Sequence, residues 1–374
     1  MDKNIKTPYF LVDENRLIRN LEILKEVQDS TGCKILLAQK AFSMFYAYPL
    51  ISRYLRGTTA SGLFEARLGH EKFGGETHVF SPAYREDEFD DILLYADHIV
   101  FNSVDQVRKY AQKAKDKGKS VGLRVNPECS TQEGHEIYDP CSKGSRLGCT
   151  LPQFDESILP MLDGLHFHTL CEQNSDALET TAKVFEEKFG KYLRNMKWLN
   201  FGGGHHITRD DYDIERLKKI IRHFKETYNV EVYLEPGEAV VLNAGFLVTS
   251  VLEIMHNDID IAILDTSAAC HMPDVIEMPY RPPLKNSGEK GEKKYTCRLG
   301  GCTCLAGDII GDYSFDEQLK EGDKLIFEDM ALYTMVKTNT FNGMPLPSIV
   351  YRKTDGSTVI VKEFGYEDFL NRLS

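Results

Sequence analysis

Residues that could do chemistry follow short apolar runs along the first two-thirds of the chain. They are Lys40, Ser61, Asn102, Arg124, His168, the glycines Gly202, Gly203 and Gly204, and Glu235. A buried lysine amine loses affinity for its proton and becomes a nucleophile for Schiff-base chemistry with carbonyl compounds. Consecutive glycines let backbone N–H groups approach a phosphate, and a carboxylate can keep a pyridine nitrogen protonated. Taken singly, each residue also has a plain structural alternative: a solvated lysine, an ordinary turn or a salt-bridged glutamate.

The apolar runs before these residues predict eight strands. They cover residues 35–40, 57–61, 77–82, 98–103, 121–126, 164–169, 198–204 and 232–237. Helical spacing of apolar residues fills most of the gaps, most clearly at 104–118 and 213–229. Strands that alternate with helices pair in parallel, and eight such units predict a closed (β/α)8 TIM barrel. An open doubly wound sheet is the competing architecture. Because the C-terminal strand ends of a barrel form one face, the residues above can converge on one ligand.

The pattern changes after about residue 243. Shorter β-like runs at 245–255, 260–265, 323–329 and 358–364 predict a mostly antiparallel β domain. The isolated run at 8–13 could complete the sheet of that domain. We therefore expect a barrel over residues 16–242 and a β domain formed by residues 1–15 and 243–374.

His166 and His168 lie two residues apart on the sixth predicted strand. We expect them to face opposite sides or ends of the strand, with His168, which is nearer the strand end, in position to cover an aromatic ring. A hydrogen-bonded core histidine is the alternative for either residue.

Composition and charge exclude several classes of function. The formal net charge of −12 argues against a nucleic-acid partner, because phosphate binding requires a basic surface. The nine cysteines lack the spacing of a disulfide framework or a zinc site, which favours reduced thiols in a cytoplasm. No stretch of about 18–20 uncharged apolar residues is present, so we expect no membrane span.

Several motifs together resemble one enzyme family. LLAQKAF (36–42), GLHFH (164–168), NFGGG (200–204), YLEPG (233–237), GGCTCLAGD (300–308), ALYT (331–334) and FNG (341–343) are similar, in the same order, to motifs of the fold-III pyridoxal-phosphate decarboxylases. This family includes the ornithine and diaminopimelate decarboxylases and shares its fold with the alanine racemases. The stretches at 235–240, 265–282 and 299–313 resemble the branch that decarboxylates carboxynorspermidine and carboxyspermidine, which are polyamine-like amino acids.

The resemblance implies roles for the predicted barrel residues. Lys40 would hold pyridoxal 5′-phosphate covalently, and His168 would stack on its pyridine ring. Gly202, Gly203 and Gly204 would bind the phosphate, and Glu235 would pair with the pyridine nitrogen.

For the second domain, the resemblance implies that Tyr333 touches the phosphate and Phe341 lines the substrate pocket. Cys304 would come from the partner subunit of a homodimer and protonate the carbon that loses carbon dioxide.

Three departures from the family pattern bear on specificity. Glu238 stands where relatives acting on ornithine or diaminopimelate carry arginine, and Leu305 stands where the ornithine enzyme has an acid. The chain reads TLCEQ at 169–173 in place of a glycine–serine segment. Our hypothesis is that Glu238 and Asp274, with Glu277, hold the nitrogens of a longer substrate, since carboxylates form strong charge-assisted bonds to ammonium groups.

Two alternatives remain open. The chain could be a decarboxylase for ornithine or diaminopimelate, against which Glu238 argues. It could also be a non-catalytic homologue that binds the cofactor, against which the presence of Lys40 and Cys304 argues.

Overall fold

The computed structural model describes residues 5–132 and 136–374 of the chain. They form two compact units, one spanning Arg19–Val240 and the other combining Met1–Ile18 with Val241–Ser374. The chain enters through β1 (Tyr9–Asp13) and α1 (Glu14–Thr31).

Eight parallel strands close into a barrel in the first unit. They are β2 (Lys34–Ala38), β3 (Gly57–Ala60), β4 (Glu76–Phe80), β5 (His98–Phe101), β6 (Ser120–Arg124), β7 (Gly164–His166), β8 (Trp198–Asn200) and β9 (Glu231–Leu234). The barrel closes because β9 pairs with β2, with Tyr233 opposite Lys34 and Leu234 opposite Ile35. All eight predicted strands are present, and the closed barrel is confirmed over the open sheet.

Helices connect most of these strands. They are α2 (Tyr48–Ile51), α3 (Leu63–Lys72), α4 (Glu86–Tyr95), α5 (Val104–Asp116), α6 (Ser175–Leu193), α7 (Ile214–Tyr228) and α8 (Glu238–Val241). In α5, the Ser103 side chain accepts from the backbone N–H of Gln106 and caps the first turn, while an apolar face is buried. No helix within residues 5–132 and 136–374 is long and apolar enough to cross a membrane.

The connection between β6 and β7 departs from the βα alternation. Its described residues contain only 3-10 turns, at Glu136–Tyr138, Leu151–Gln153 and Glu156–Met161. The absence of an α-helix from the described part of this connection agrees with the sequence, which has no periodic apolar stretch there.

The second unit is built on one eight-stranded sheet. Its further strands are β10 (Gly245–Asn257), β11 (Ile259–Leu264), β12 (Tyr295–Gly300), β13 (Ile309–Phe315), β14 (Lys324–Glu328), β15 (Ser348–Arg352) and β16 (Thr358–Lys362). The strand order is β13-β12-β11-β10-β1-β15-β16, and β14 pairs with β10. Short helices α9 (Ala268–His271), α10 (Asp274–Glu277) and α11 (Tyr366–Leu373) complete the unit.

The predicted antiparallel character of this sheet is confirmed, with two exceptions. The pairs β1–β15 and β11–β12 are parallel, and the other five are antiparallel. The N-terminal strand β1 lies inside the sheet between β10 and β15, as its isolation in the sequence suggested.

Candidate active site

Lys40 lies two residues beyond the end of β2 at the C-terminal face of the barrel. The backbone before it is held by bonds from Ala38 N–H to the Pro236 carbonyl and from Gln39 N–H to the Thr59 carbonyl, each 3.1 Å long. Part of the side chain is open to solvent, but enough protein surrounds the amine that desolvation lowers its pKa, and the charge of Arg124 lowers it further. This environment therefore shifts the protonation equilibrium of the amine toward the neutral, nucleophilic form.

Glu235 follows β9 directly and is buried. Its carboxylate accepts hydrogen bonds from the Asn200 side chain (2.8 Å) and contacts His166 Nε2 at 3.2 Å. Burial alone would raise the pKa of this carboxyl, but His166 and Asn200 lower it to about 2. Glu235 is therefore ionised at neutral pH and can hold a neighbouring ring nitrogen protonated.

His166 and His168 contact different partners at the C-terminal face of the barrel. His166 Nε2 contacts Glu235, and His168 Nδ1 accepts a 2.9 Å bond from the backbone N–H of Gly203. β7 ends at His166, so His168 lies beyond the strand, and the alternation of a strand does not set the direction of its side chain. Burial and the charge of Lys40 hold the pKa of His168 well below its usual range, so this ring is neutral and carries its proton on Nε2.

The glycines after β8 form a backbone cradle. Gly202 and Gly204 have φ of +69° and +81°, and a Cβ on Gly204 would lie 2.0 Å from the Leu170 carbonyl oxygen. Among the described residues, the N–H groups of Gly204 and His205 donate to no acceptor. This loop offers the unpaired backbone donors and the close approach that a phosphate requires.

The barrel residues thus fit pyridoxal phosphate. Lys40 supplies an amine for the aldehyde, Glu235 an ionised carboxylate for the ring nitrogen, His168 a neutral ring for stacking, and the glycine loop donors for the phosphate. Arg124, which the sequence placed at a strand end without a role, stacks 4.7 Å from the centre of the Phe80 ring and donates to the His168 carbonyl at 3.3 Å.

Cys304 lies in the second unit on an exposed loop between β12 and β13. The Cys304 N–H donates to Asn342 Oδ1 at 2.8 Å, which ties this loop to the segment of Phe341. Asp308, which is buried, accepts from the Thr303 hydroxyl at 2.7 Å and from the Ser267 hydroxyl at 2.9 Å. The structure therefore brings Cys304 and the Phe341 segment together and gives their loop a buried anchor.

Asp274 and Glu277 are bridged by a lysine that the sequence analysis did not consider. Lys337 Nζ lies 2.5 Å from Asp274 Oδ1 and 2.6 Å from Glu277 Oε2. Although burial opposes it, these two carboxylates raise the pKa of Lys337 to about 12. Tyr333, four residues earlier, is half-buried and adopts a left-handed backbone conformation with φ of +49°.

The proposed site residues thus fall into two sets. Lys40, His168, Gly202 to Gly204, Glu235 and Glu238 belong to the barrel unit, and Asp274, Glu277, Cys304, Tyr333 and Phe341 belong to the sheet unit. Glu238, the first residue of α8, is buried, and its Oε2 lies 3.8 Å from His206 Nε2. Sequence reasoning assigned no role to Asn200, His166 or Asp308, although the motifs NFGGG, GLHFH and GGCTCLAGD contain them.

Comparison with known proteins assigns the family. Residues 12–331 match the family described as pyridoxal-dependent decarboxylase, C-terminal sheet domain. The chain belongs to the pyridoxal-dependent decarboxylases. It is therefore an enzyme of the fold-III class that uses pyridoxal phosphate.

Two relatives and one solved structure are similar to nearly the whole chain. A carboxynorspermidine/carboxyspermidine decarboxylase from Campylobacter jejuni is 44% identical over 98% of each chain. A carboxyaminopropylagmatine decarboxylase from Synechocystis is 41% identical over 99% of this chain and 96% of its own. The crystal structure of carboxynorspermidine decarboxylase from Campylobacter jejuni complexed with norspermidine superposes with a TM-score of 0.92, at 44% identity over 98% of this chain and 100% of that one.

The lowered pKa of Lys40 predicts selective reactivity. In the cofactor-free decarboxylase, trace acetylation of Lys40 should rise at a lower pH than acetylation of the exposed Lys117, because the neutral amine forms earlier. Mass spectrometry of digests from a pH series measures both lysines in one sample. Coincident pH profiles for the two residues would contradict the desolvated environment of Lys40.

Proposed function

We propose that this enzyme decarboxylates carboxynorspermidine to norspermidine, carboxyspermidine to spermidine, or both, in polyamine synthesis. The observation that carries the proposal is the 44% identity, over nearly the whole chain, to a relative named for these two substrates. The barrel unit offers the groups that such a reaction needs. They are the Lys40 amine, the Glu235 carboxylate and the backbone donors of the glycine loop.

Carboxyaminopropylagmatine is a second candidate substrate. The Synechocystis relative, named for carboxyaminopropylagmatine, is 41% identical over 99% of this chain. Agmatine ends in a guanidinium and norspermidine in an ammonium, so the two candidates differ at the end remote from the reacting carboxylate. We favour the ammonium-ended substrates because the motifs at 265–282 and 299–313 resemble those of their branch.

Residues of the barrel unit would bind and orient the cofactor for the reaction. Pyridoxal phosphate, when bound, supplies the electron sink for cleavage of the bond to the α-carboxylate. Glu235 would pair with the ring nitrogen and keep it protonated, the neutral His168 would lie against the ring, and Lys40 would supply the amine that holds the cofactor. The protein contributes position and electrostatics, and these determine which bond breaks.

We further propose that the enzyme works as a homodimer in the cytoplasm. In that assembly Cys304 would reach the site of the partner subunit and deliver a proton to the α-carbon after carbon dioxide leaves. The spacing of the nine cysteines, which lacks a disulfide framework, supports a reducing compartment.

Asp274 and Glu277 are our proposed sites for substrate nitrogens, with Phe341 beside them. Lys337 already neutralises these two carboxylates, so a substrate ammonium must compete with Lys337 for them. An internal lysine of this kind keeps the two acids paired in the absence of substrate and reduces the repulsion between them.

The substrate is tested by measuring carbon dioxide release from the cofactor-loaded enzyme. Carboxynorspermidine, carboxyspermidine, carboxyaminopropylagmatine, ornithine and diaminopimelate are offered in parallel. We expect rapid turnover of the first two alone. Turnover of ornithine or diaminopimelate in their place would contradict the proposed specificity, and preference for the agmatine compound would select the second candidate. No turnover of any substrate would contradict an enzymatic role.

Replacing Cys304 should damage protonation. Cys304→Ala should lower kcat by roughly 100-fold or divert the product, since a positioned general acid contributes about 10²–10⁴-fold. Cys302→Ala, two residues away on the same exposed loop, is the matched control and should keep most of the activity. Equal turnover and equal product in wild-type enzyme and Cys304→Ala would remove Cys304 from the reaction.

The competition at Lys337 predicts opposite effects of two substitutions. Asp274→Ala should raise KM roughly tenfold or more, because a charge-assisted bond to the substrate is lost. Lys337→Met should lower KM, because it removes the cation with which the substrate ammonium competes. If both substitutions raise KM alike, the pair is only a structural salt bridge and the assignment of Asp274 fails.

A further inference from the structure

Arg124, the last residue of β6, is a buried cation at the C-terminal face of the barrel. The residue is 5% exposed. Its guanidinium lies 4.7 Å from the centre of the Phe80 ring at the end of β4, and Nη2 donates to the His168 carbonyl at 3.3 Å. The end of β4 and the loop after β7 therefore hold this side chain in place.

Arg124 has no counterion in the part of the chain that the structure describes, since no carboxylate there lies within ion-pair distance of its guanidinium. Lys218, another buried cation of the barrel unit, contacts Glu26 at 2.7 Å and Glu215 at 2.8 Å. Glu235 is held by other partners and acts on Arg124 only from a longer distance. A buried cation without a counterion is costly, so a ligand that brings an anion would reduce this cost.

The free donors of Arg124 are accessible. Nε and Nη1 make no hydrogen bond to the described residues, and neither atom is fully enclosed by them. Burial lowers the pKa of Arg124 to about 10, which leaves the guanidinium charged at neutral pH. The side chain therefore presents a charged pair of donors that suits an oxyanion.

Arg124 is linked by contacts to the residues assigned to the cofactor. The Phe80 ring, against which Arg124 packs, stacks on the His166 ring at 5.8 Å, and His166 contacts Glu235 at 3.2 Å. After desolvation, the charge of Arg124 has the largest lowering effect on the pKa of Lys40. This cation therefore belongs to the site formed by Lys40 and Glu235.

One anionic atom of pyridoxal phosphate has no partner among the groups assigned above. The phosphate is assigned to the glycine loop, the ring nitrogen to Glu235 and the aldehyde to Lys40. The phenolic oxygen, on the ring carbon next to the one that bears the aldehyde, is left over. The substrate α-carboxylate is the other available anion, but a guanidinium would stabilise its charge and oppose its loss as neutral carbon dioxide.

We propose that Arg124 binds the phenolic oxygen of pyridoxal phosphate and holds it as the anion. A guanidinium and a phenolate form a charge-assisted hydrogen bond, and each neutralises the charge of the other. Arg124 is thus a cofactor-binding residue, to which the sequence assigned only a place at a strand end. The inference requires the cofactor and is independent of which amino acid is decarboxylated.

The test compares pyridoxal phosphate with its 3-deoxy analogue, which lacks the phenolic oxygen and retains the aldehyde and the phosphate. Both are titrated into the cofactor-free enzyme, and the ratio of their dissociation constants is measured. Arg124→Met should weaken binding of pyridoxal phosphate about tenfold or more and leave binding of the analogue unchanged. Arg124→Lys, which retains a charge at this position, should keep part of the wild-type preference for pyridoxal phosphate.

A control separates the local charge from a general loss of arginine. Arg67→Met, at an exposed arginine of α3 that pairs with Glu71, should bind both ligands as the wild type does. Equal weakening of both ligands by Arg124→Met would show a structural role and overturn the proposal, as would wild-type affinity for both. If Arg124→Met fails to fold, Arg124→Gln removes the charge and should change the ratio in the same direction; an unchanged ratio would overturn the proposal.

A second measurement distinguishes the phenolic oxygen from the substrate carboxylate. If Arg124→Met keeps the wild-type ratio but has a raised KM for carboxynorspermidine and unchanged inhibition by norspermidine, Arg124 binds the carboxylate and the proposal is overturned. The binding test needs no decarboxylation. Failure of the enzyme to act on the proposed substrates would therefore contradict the proposed function and leave this inference intact.

Discussion

The barrel site depends on a single buried charge, the carboxylate of Glu235. A carboxylate inside a protein is stable as an anion only when hydrogen bonds replace its lost hydration. Asn200 and His166 provide these contacts from the ends of β8 and β7, and the Glu235 N–H donates to the Gly202 carbonyl at 2.8 Å. The side chains at three neighbouring strand ends are therefore linked through one acid. The glycine loop and His168 take their positions from the same contacts.

Asp308 has a comparable part in the sheet unit. Its side chain is buried, with the residue 3% exposed, and accepts hydrogen bonds from the Ser267 hydroxyl, the Thr303 hydroxyl and the Ala269 N–H, the last at 3.2 Å. These bonds pre-form the loop that carries Cys304, so little conformational entropy is left to lose when the loop engages a ligand. In each unit, a buried acid thus holds the backbone near a candidate site residue.

The sequence predicted the barrel well because most of its strands are short segments rich in apolar residues, with polar or glycine residues at their ends. It did not predict β12, β13 or β15, since these strands are half exposed and polar pairs such as Arg298 with Asp312 cross them. Lys40 and Glu235 were recognisable from residue type and strand position. The contact of Lys337 with Asp274 was not, because 63 residues separate them and no local pattern records the contact. The hydrogen-bond partners of Glu235 were not predicted either, because barrel closure determines which strand ends are neighbours.

The most direct test of this account is the steady-state rate of Glu235→Gln beside that of Asn200→Ala, both loaded with pyridoxal phosphate and offered carboxynorspermidine. Gln keeps the size of the side chain and removes its charge. We expect kcat/KM of Glu235→Gln to fall by about 100-fold or more, as when one preorganised electrostatic partner is removed, with a smaller fall for Asn200→Ala. A rate for Glu235→Gln close to that of the wild type would contradict the claim that an ionised carboxylate at this position drives the reaction.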